Sequence, residues 1–387
     1  MMSITVITAK DIGYDFADKM YQNGNLVKIF NTKPMDAPTT GFKRIESVRP
    51  DSDLYVCMLP FGTGEIADNL FKAGFPVTGS SIKHELVVSE EKLRTTFFKA
   101  MHRKLEGPTV TVGIPLWRSR EGWMDHRFIG LTYRRMLNGD KGPVMPWTSM
   151  GGVGVCAFND RLPKAVQDRI GFLLDDMSGL FTLMIDVGKD DFSISDQWIY
   201  YLEHFGNHLF WSSCYNLQLQ SEGLGVSVED LYMNAAVPRF KVRPVSKVAV
   251  GVAVTNCTAE SVDINPEALR HSWRYTPSAQ TVNLTAWGTS LREAKRRVYR
   301  TVDEIVKTPD PIYRTDIGHD AVGVMKQLEE WGWIDVTTSR KFTDDNQGQR
   351  SRDAAIIQEK GNDREDQAGK YAQSEKNSPL SSVQQGG

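Results

Sequence analysis

Short β-branched runs alternate with amphipathic segments over the first hundred residues. Ser3 to Ala9 (SITVITA) reads as a strand, and the following DIGYDFADKMYQNGN carries apolar positions at helical spacing. LVKIFN predicts a second strand, Asp51–Pro60 (DSDLYVCMLP) a third, EIADNLFKAG a helix and FPVTG a fourth strand. Alternation of this kind predicts a parallel sheet with both faces covered. Ser89 caps a further predicted helix, SEEKLRTTFFKAMHRKL, whose Phe97 and Phe98 read as core and which Gly107-Pro108 ends.

The rhythm then changes. TVTVGIPLW predicts a strand, and the stretch from His126 to Phe158 holds Gly139, Gly142, Gly151, Gly152 and Gly154 among Arg134, Arg135, Asp140 and Lys141. A glycine loop beside cations suits phosphate; a surface hairpin with turn glycines is the other reading of the same residues. LPKAVQDRIGFLLDDMSGL predicts a helix, FTLMIDVGKDDFSISDQWIYYLEHFG paired strands about a polar turn, and LYMNAAV the end of another helix. SKVAVGVAVTN is a strand pattern. VNLTAWGTSLREAKRRVYRTVDEIV combines a strand, a glycine turn and a helix in which Ala294, Val298, Val302 and Ile305 recur at helical spacing. GHDAVGVMKQLEEWGWIDV supplies the last predicted helix and a short strand. Beyond about Lys341 the chain is polar and nearly free of aromatics, so a disordered tail is expected.

Composition narrows the class. The 387 residues allow two or three domains or one large α/β enzyme, and 40% hydrophobic residues supply a sizeable core. A formal charge of -2 and a pI near 6.4 give no global positive field for nucleic acid, although a local basic groove stays open. Cys57, Cys156, Cys214 and Cys257 are scattered, without CxxC or metal-ligand spacing, so reduced thiols are expected. The N-terminus lacks a signal-peptide core, and no apolar run reaches spanning length. A soluble cytoplasmic protein without a membrane partner is the expectation.

Three places carry candidate chemistry. Gly62 and Gly64 follow an apolar strand and open a helix, where backbone N–H groups can meet an anion. Asp186 stands at a strand end, which suits metal contact and equally suits a turn-starting aspartate. YRTDIG sets Arg314, Asp316 and Gly318 together, either as an anion pocket or as an ion pair at a turn; His319 after it reads as an exposed helix-start residue.

VNLTAWGTSLREAKRRVYRTVDEI followed by YRTDIG resembles the C-terminal domain of the phosphoribosylamine–glycine ligase (glycinamide ribonucleotide synthetase) family. Asn283, Thr285, Gly288, Leu291, Ala294, Tyr299, Val302, Arg314, Asp316 and Gly318 carry the likeness. DLYVCMLPFGTGEIADNLFKAGFPVTGSS resembles the family's N-terminal domain, and RRMLNGDKGPVMPWTSMGGVG resembles the glycine loop of its ATP-grasp core, interrupted by an insertion carrying Pro146 and Trp147. The resemblance implies an α/β and α+β chain. It would have an N-terminal parallel-sheet domain (1–108), a reduced ATP-grasp-like core (109–245), a small C-terminal domain (246–340) and a polar tail (341–387). It also implies ATP and Mg²⁺, a phosphorylated small molecule or nucleotide, and an amino acid such as glycine. By resemblance, Arg314, Asp316 and Asp140 would be catalytic. Arg134, Arg135, Gly62, Gly64, Gly142, Gly151, Gly152, Gly154 and Gly288 would hold substrate or phosphate. Glu203, with Asp186, would hold the metal.

The sequence departs from the family in four places. VAVGVAVTN, after Lys247, lacks the family's glycine-tyrosine-proline turn. TVITAKDIGYD offers only Gly13 where the family opens on a glycine-rich turn. The nucleotide-clamping subdomain has only Gly107 to Leu131 in which to fit. YYLEHFGNHL recovers Glu203 only with a gap. Three functions are therefore carried forward: a divergent ligase working through an acyl phosphate; an ATP-independent transferase of an amino acid or amine onto a phosphorylated acceptor, in an accessory or viral pathway in which modified DNA is one candidate acceptor; and a non-catalytic binding or structural protein.

Overall fold

The computed structural model describes residues 1–9, 13–33, 41–58, 62–83, 85, 99, 101–123, 128–136, 144–156, 161–170, 177–195, 220–237, 247–256, 262–265, 272–274, 281–309 and 311–342. Asp140, Gly142, Glu203, most of the helix predicted from Ser89, and the polar tail after Phe342 lie outside them.

Strands β1 (Ser3–Thr8), β2 (Leu26–Asn31), β3 (Lys43–Ile45), β4 (Leu54–Cys57) and β5 (Val77–Ser80) are parallel and lie in the order β3-β2-β1-β4-β5. Helix α1 (Tyr14–Gln22) connects β1 to β2, and α2 (Gly64–Lys72) connects β4 to β5. The helices are apolar at helical positions because each buries one side, whereas the central strands β1 and β4 are buried on both faces and read as nearly continuous apolar runs. Phe16, Ala17 and Met20 of α1 pack on Ile4, Val6 and Ile29. The predicted third strand is shorter than Asp51–Pro60, and the short parallel β3 carries no apolar run that could have announced it.

The second half is antiparallel. It runs through β6 (Val110–Ser119), β7 (Gly122–Trp123), β8 (Phe128–Met136), β9 (Val144–Cys156), helix α3 (Arg161–Ile170), β10 (Met177–Val187), β11 (Phe192–Ile194), helix α4 (Val228–Ala236), β12 (Val248–Asn256), β13 (Ser272–Arg274), β14 (Thr281–Gly288), helix α5 (Leu291–Ile305), β15 (Pro311–Ile312) and helix α6 (Ala321–Glu330). The order is β5-β10-β6-β8-β9-β12-β14-β13. The join with the parallel half is the short pairing of Gly79 and Ser80 with Ser178 and Met177. Glycine is required at the join: Gly79 has φ 141°, and a Cβ there would sit 2.6 Å from Cys57 Cβ.

Three predictions need correcting. Met177 to Leu180, read as the end of the helix LPKAVQDRIGFLLDDMSGL, open β10 instead, drawn into the sheet by pairing with β5 and β6. Gly151, Gly152 and Gly154 lie not in a loop but inside β9, paired with β8 on one side and β12 on the other. The ladder on both sides holds extended a segment whose glycines alone suggest flexibility. The short strand predicted around Trp333–Val336 is absent; residues 336–342 are helical, and Phe342 is fully buried. Met1–Phe342 form one compact unit, in which β12 and β14 extend the same sheet as β9. No helix among the described residues is long and apolar enough to cross a membrane.

Candidate functional site

The YRTDIG motif is built by the strand–turn–helix before it. β14 ends at Gly288, where a Cβ would come 2.7 Å from Ala294 N, so only glycine lets the strand end press on the first turn of α5. Ser290 caps that helix by accepting Glu293 N–H at 3.3 Å, and the Glu293 carboxylate reaches back to Thr289 N at 2.8 Å. The same bonds from Thr289 hold the Glu293 carboxyl below its usual range.

Tyr299, one face further along α5, organises the motif. Its hydroxyl donates to Arg314 O at 2.9 Å and accepts from Ile317 N at 3.3 Å. Burial pushes its phenol up to about 12, so it remains a proton donor throughout the neutral range. Arg314 Nε donates to Asp316 Oδ1 at 2.7 Å while Nη2 donates to Oδ2, a two-point, fork-on-fork pair. Arg314 holds the Asp316 carboxyl below its usual range. His319 N closes the turn on Asp316 O at 2.9 Å, and Gly318 takes φ +81°. A Cβ on Gly318 would meet Leu291 Cδ1 at 3.2 Å and Val153 Cγ2 at 3.3 Å. The structure thus brings Gly318, at the end of the motif, against Leu291 at the start of α5 and Val153 of β9. The result is an oriented, partly exposed guanidinium–carboxylate pair on a rigid support, an arrangement able to present a planar cation to an oxyanion.

The other expected residues lie elsewhere. Arg134 and Arg135 sit where β8 slips register against β9, opposite Ser149 and Met145. Asp186 faces Thr111 across β10 and β6, and its Oδ1 accepts the threonine hydroxyl at 2.5 Å. Three strand spacings, roughly 14 Å, separate β10 from β9, so Asp186 and Gly154 are not in direct contact. At Gly64 the start of α2 already holds an anion of the protein's own: Glu85 Oε1 accepts Thr63 N at 2.9 Å and Gly64 N at 2.6 Å. Among the described residues no three His, Cys, Asp or Glu side chains gather as a ready-made metal cage; Mg²⁺ bound with a nucleotide needs only one or two carboxylates beside the phosphates.

A buried polar cluster went unread in the sequence. Lys19 of α1 is 2% exposed, and burial pushes its pKa down to about 8 against the opposing pull of Glu222, Glu229 and Asp18. Glu229 Oε1 accepts Asn25 Nδ2 at 2.6 Å and Asn23 Nδ2 at 2.9 Å, and Glu222 Oε1 accepts Thr285 Oγ1 at 3.0 Å. Nearby, Trp117 packs edge-on to Tyr232 at 5.2 Å and donates to Gln220 at 3.0 Å. The available signal was a lysine between Phe16 and Met20 on the apolar side of α1.

No protein-family model matches the sequence, and no curated protein matches it. Among solved structures, the chain overlaps phosphoribosylamine–glycine ligase from Thermotoga maritima at 12% identity and TM-score 0.46, covering 81% of this chain and 100% of that one. It overlaps L-amino acid ligase from Bacillus licheniformis at 11% and 0.44, covering 80% and 99%. It also overlaps N5-carboxyaminoimidazole ribonucleotide synthetase from Thermotoga maritima at 10% and 0.41, covering 80% and 100%. At these TM-scores and identities the overlaps carry no argument.

Proposed function

We propose that the protein is a carboxylate–amine ligase that joins an amino acid such as glycine to an amine of a phosphorylated sugar or nucleotide. In this reading ATP activates the carboxylate as an acyl phosphate, and the amine then displaces the phosphate. Arg314 contacts the phosphoryl group of the acceptor, and Asp316 fixes the direction of the guanidinium. The observation that carries the reading is the two-point Arg314–Asp316 pair, seated by Tyr299 and Gly318 within the segment whose sequence resembles the ligase family. Arg134 and Arg135, with Gly151, Gly152 and Gly154, belong to the same proposal as backbone and cationic support for phosphate. Asp140, Gly142 and Glu203 enter it from the sequence alone.

Substituting Arg314 with lysine tests the assignment, because lysine keeps the charge and loses the fork. Binding of a phosphorylated sugar or nucleotide should weaken about tenfold, the scale of one charge-assisted hydrogen bond. Unchanged binding would return the pair to a purely structural role.

One observation favours the second reading, an ATP-independent transferase. The interval expected to hold a nucleotide clamp contributes β6, β7 and the start of β8 to the main sheet. ATP binding separates the two readings.

A further inference from the structure

Helix α5 carries Arg292, Lys295, Arg296, Arg297 and Arg300 within its first ten residues and no basic residue in its last turn. The last turn instead carries Asp303 and Glu304, and of the five cations only Arg292 lies in the first turn, beside the favourably placed Glu293. Its apolar side, Leu291, Ala294, Val298 and Val302, is buried on the sheet, so the opposite side is left to solvent. Arg292, Arg296 and Arg300 fall on that side at intervals of four residues, about 6 Å apart along the axis. Arg297 is engaged otherwise, with Glu293 at 2.6 Å and the Trp287 carbonyl at 2.9 Å. Arg300 makes only a loose, exposed pair with Glu304 at 3.7 Å. Among the described residues no carboxylate makes an ion pair with Arg292, Lys295 or Arg296.

We infer that the exposed side of α5 is a docking surface for the phosphate backbone of a nucleic-acid strand. A net charge of -2 makes a local row of like cations a departure from the rest of the chain. Arg297 is used within the protein, paired with Glu293 and stacked over Trp287, whereas Arg292, Arg296 and Arg300 are exposed, where they can meet something outside it. Regular spacing along a rigid axis suits a polyanion of repeating charge. An anionic membrane is the other partner of basic helices, but it also needs apolar side chains on the same face, and those of α5 are buried. Lys295, beside the row, packs its side chain 3.5 Å from where a Gly318 Cβ would stand.

The test is anisotropy of labelled single-stranded and duplex DNA oligonucleotides with the full chain, over a salt series, beside a variant carrying Arg292→Ala, Arg296→Ala and Arg300→Ala. The wild type should bind at low salt, with affinity falling linearly in log salt. The variant should lose about tenfold or more and flatten the slope by about two to three, one phosphate contact for each arginine. Alanine is the best helix former, so the variant should melt no lower than the wild type. Should it fail to fold, Arg292→Gln with Arg296→Gln gives the same reading with a slope change of about two. Absence of DNA binding at low salt, or equal binding and slope in the variant, overturns the proposal. So does binding to phosphatidylserine vesicles in place of DNA. The readout is binding alone, so failure here leaves the ligase reading standing.

Discussion

At the residue scale, the account turns on two charged groups in opposite settings. Arg314 and Asp316 were visible in the sequence because the motif is local, and a tight turn brings residues two apart into reach. Lys19 was not visible as a functional or strained position, because the burial that lowers its pKa is a product of tertiary packing, and Glu222 and Glu229, which oppose that shift, lie two hundred residues away. Its effect has a definite sign. The unfolded chain holds the lysine proton up to its ordinary value near 10.5, while the folded chain releases it near 8. Stability contributed by this group therefore rises with pH between about 8 and 10.5 and is flat below 8. Urea unfolding at pH 7, 8, 9 and 10 should show that rise in the wild type and lose it in Lys19→Met. A curve of the same shape in both proteins would mean that the burial of Lys19 leaves its proton affinity unchanged.

At the element scale, the β14–turn–α5 unit was legible almost to the residue. Cap, glycine and apolar spacing are all encoded within twenty-five positions, and the structure places each where the pattern predicts. Two substitutions test its parts separately. Ser290→Ala removes the hydroxyl that takes Glu293 N–H and should cost about 1 kcal/mol in chemical denaturation. Gly288→Ala drives a methyl into Ala294 N and should cost about 1–3 kcal/mol. If Gly288→Ala is as stable as the wild type, the close approach of β14 to α5 is wrong. The glycines of β9 were illegible for the converse reason. Their strand character comes from pairing with β8 and β12, which are remote in sequence, and local composition favours a loop. Val153 between them still reaches Gly318, so the likeness of both segments to one family coincides with their contact in space.

At the scale of the whole molecule, the change from strand–helix alternation to paired strands located the switch from parallel to antiparallel sheet. It gave no hint that a two-residue ladder at Gly79 and Ser80 would join the halves. Such a join is set by approach of backbones, for which a sequence carries only the absence of a Cβ. The compact unit ends at Phe342, which is fully buried, and the chain beyond it is too poor in apolar residues to add a core. A chain truncated after residue 342 should keep the melting temperature of the full chain; a fall of more than a few degrees would show that the tail contributes to the fold. The central claim, an ATP-using ligase, is tested most directly by calorimetric titration with ATP in the presence and absence of Mg²⁺. The account predicts saturable binding below millimolar concentration that requires the metal. Absence of binding at millimolar ATP with Mg²⁺ present would contradict it.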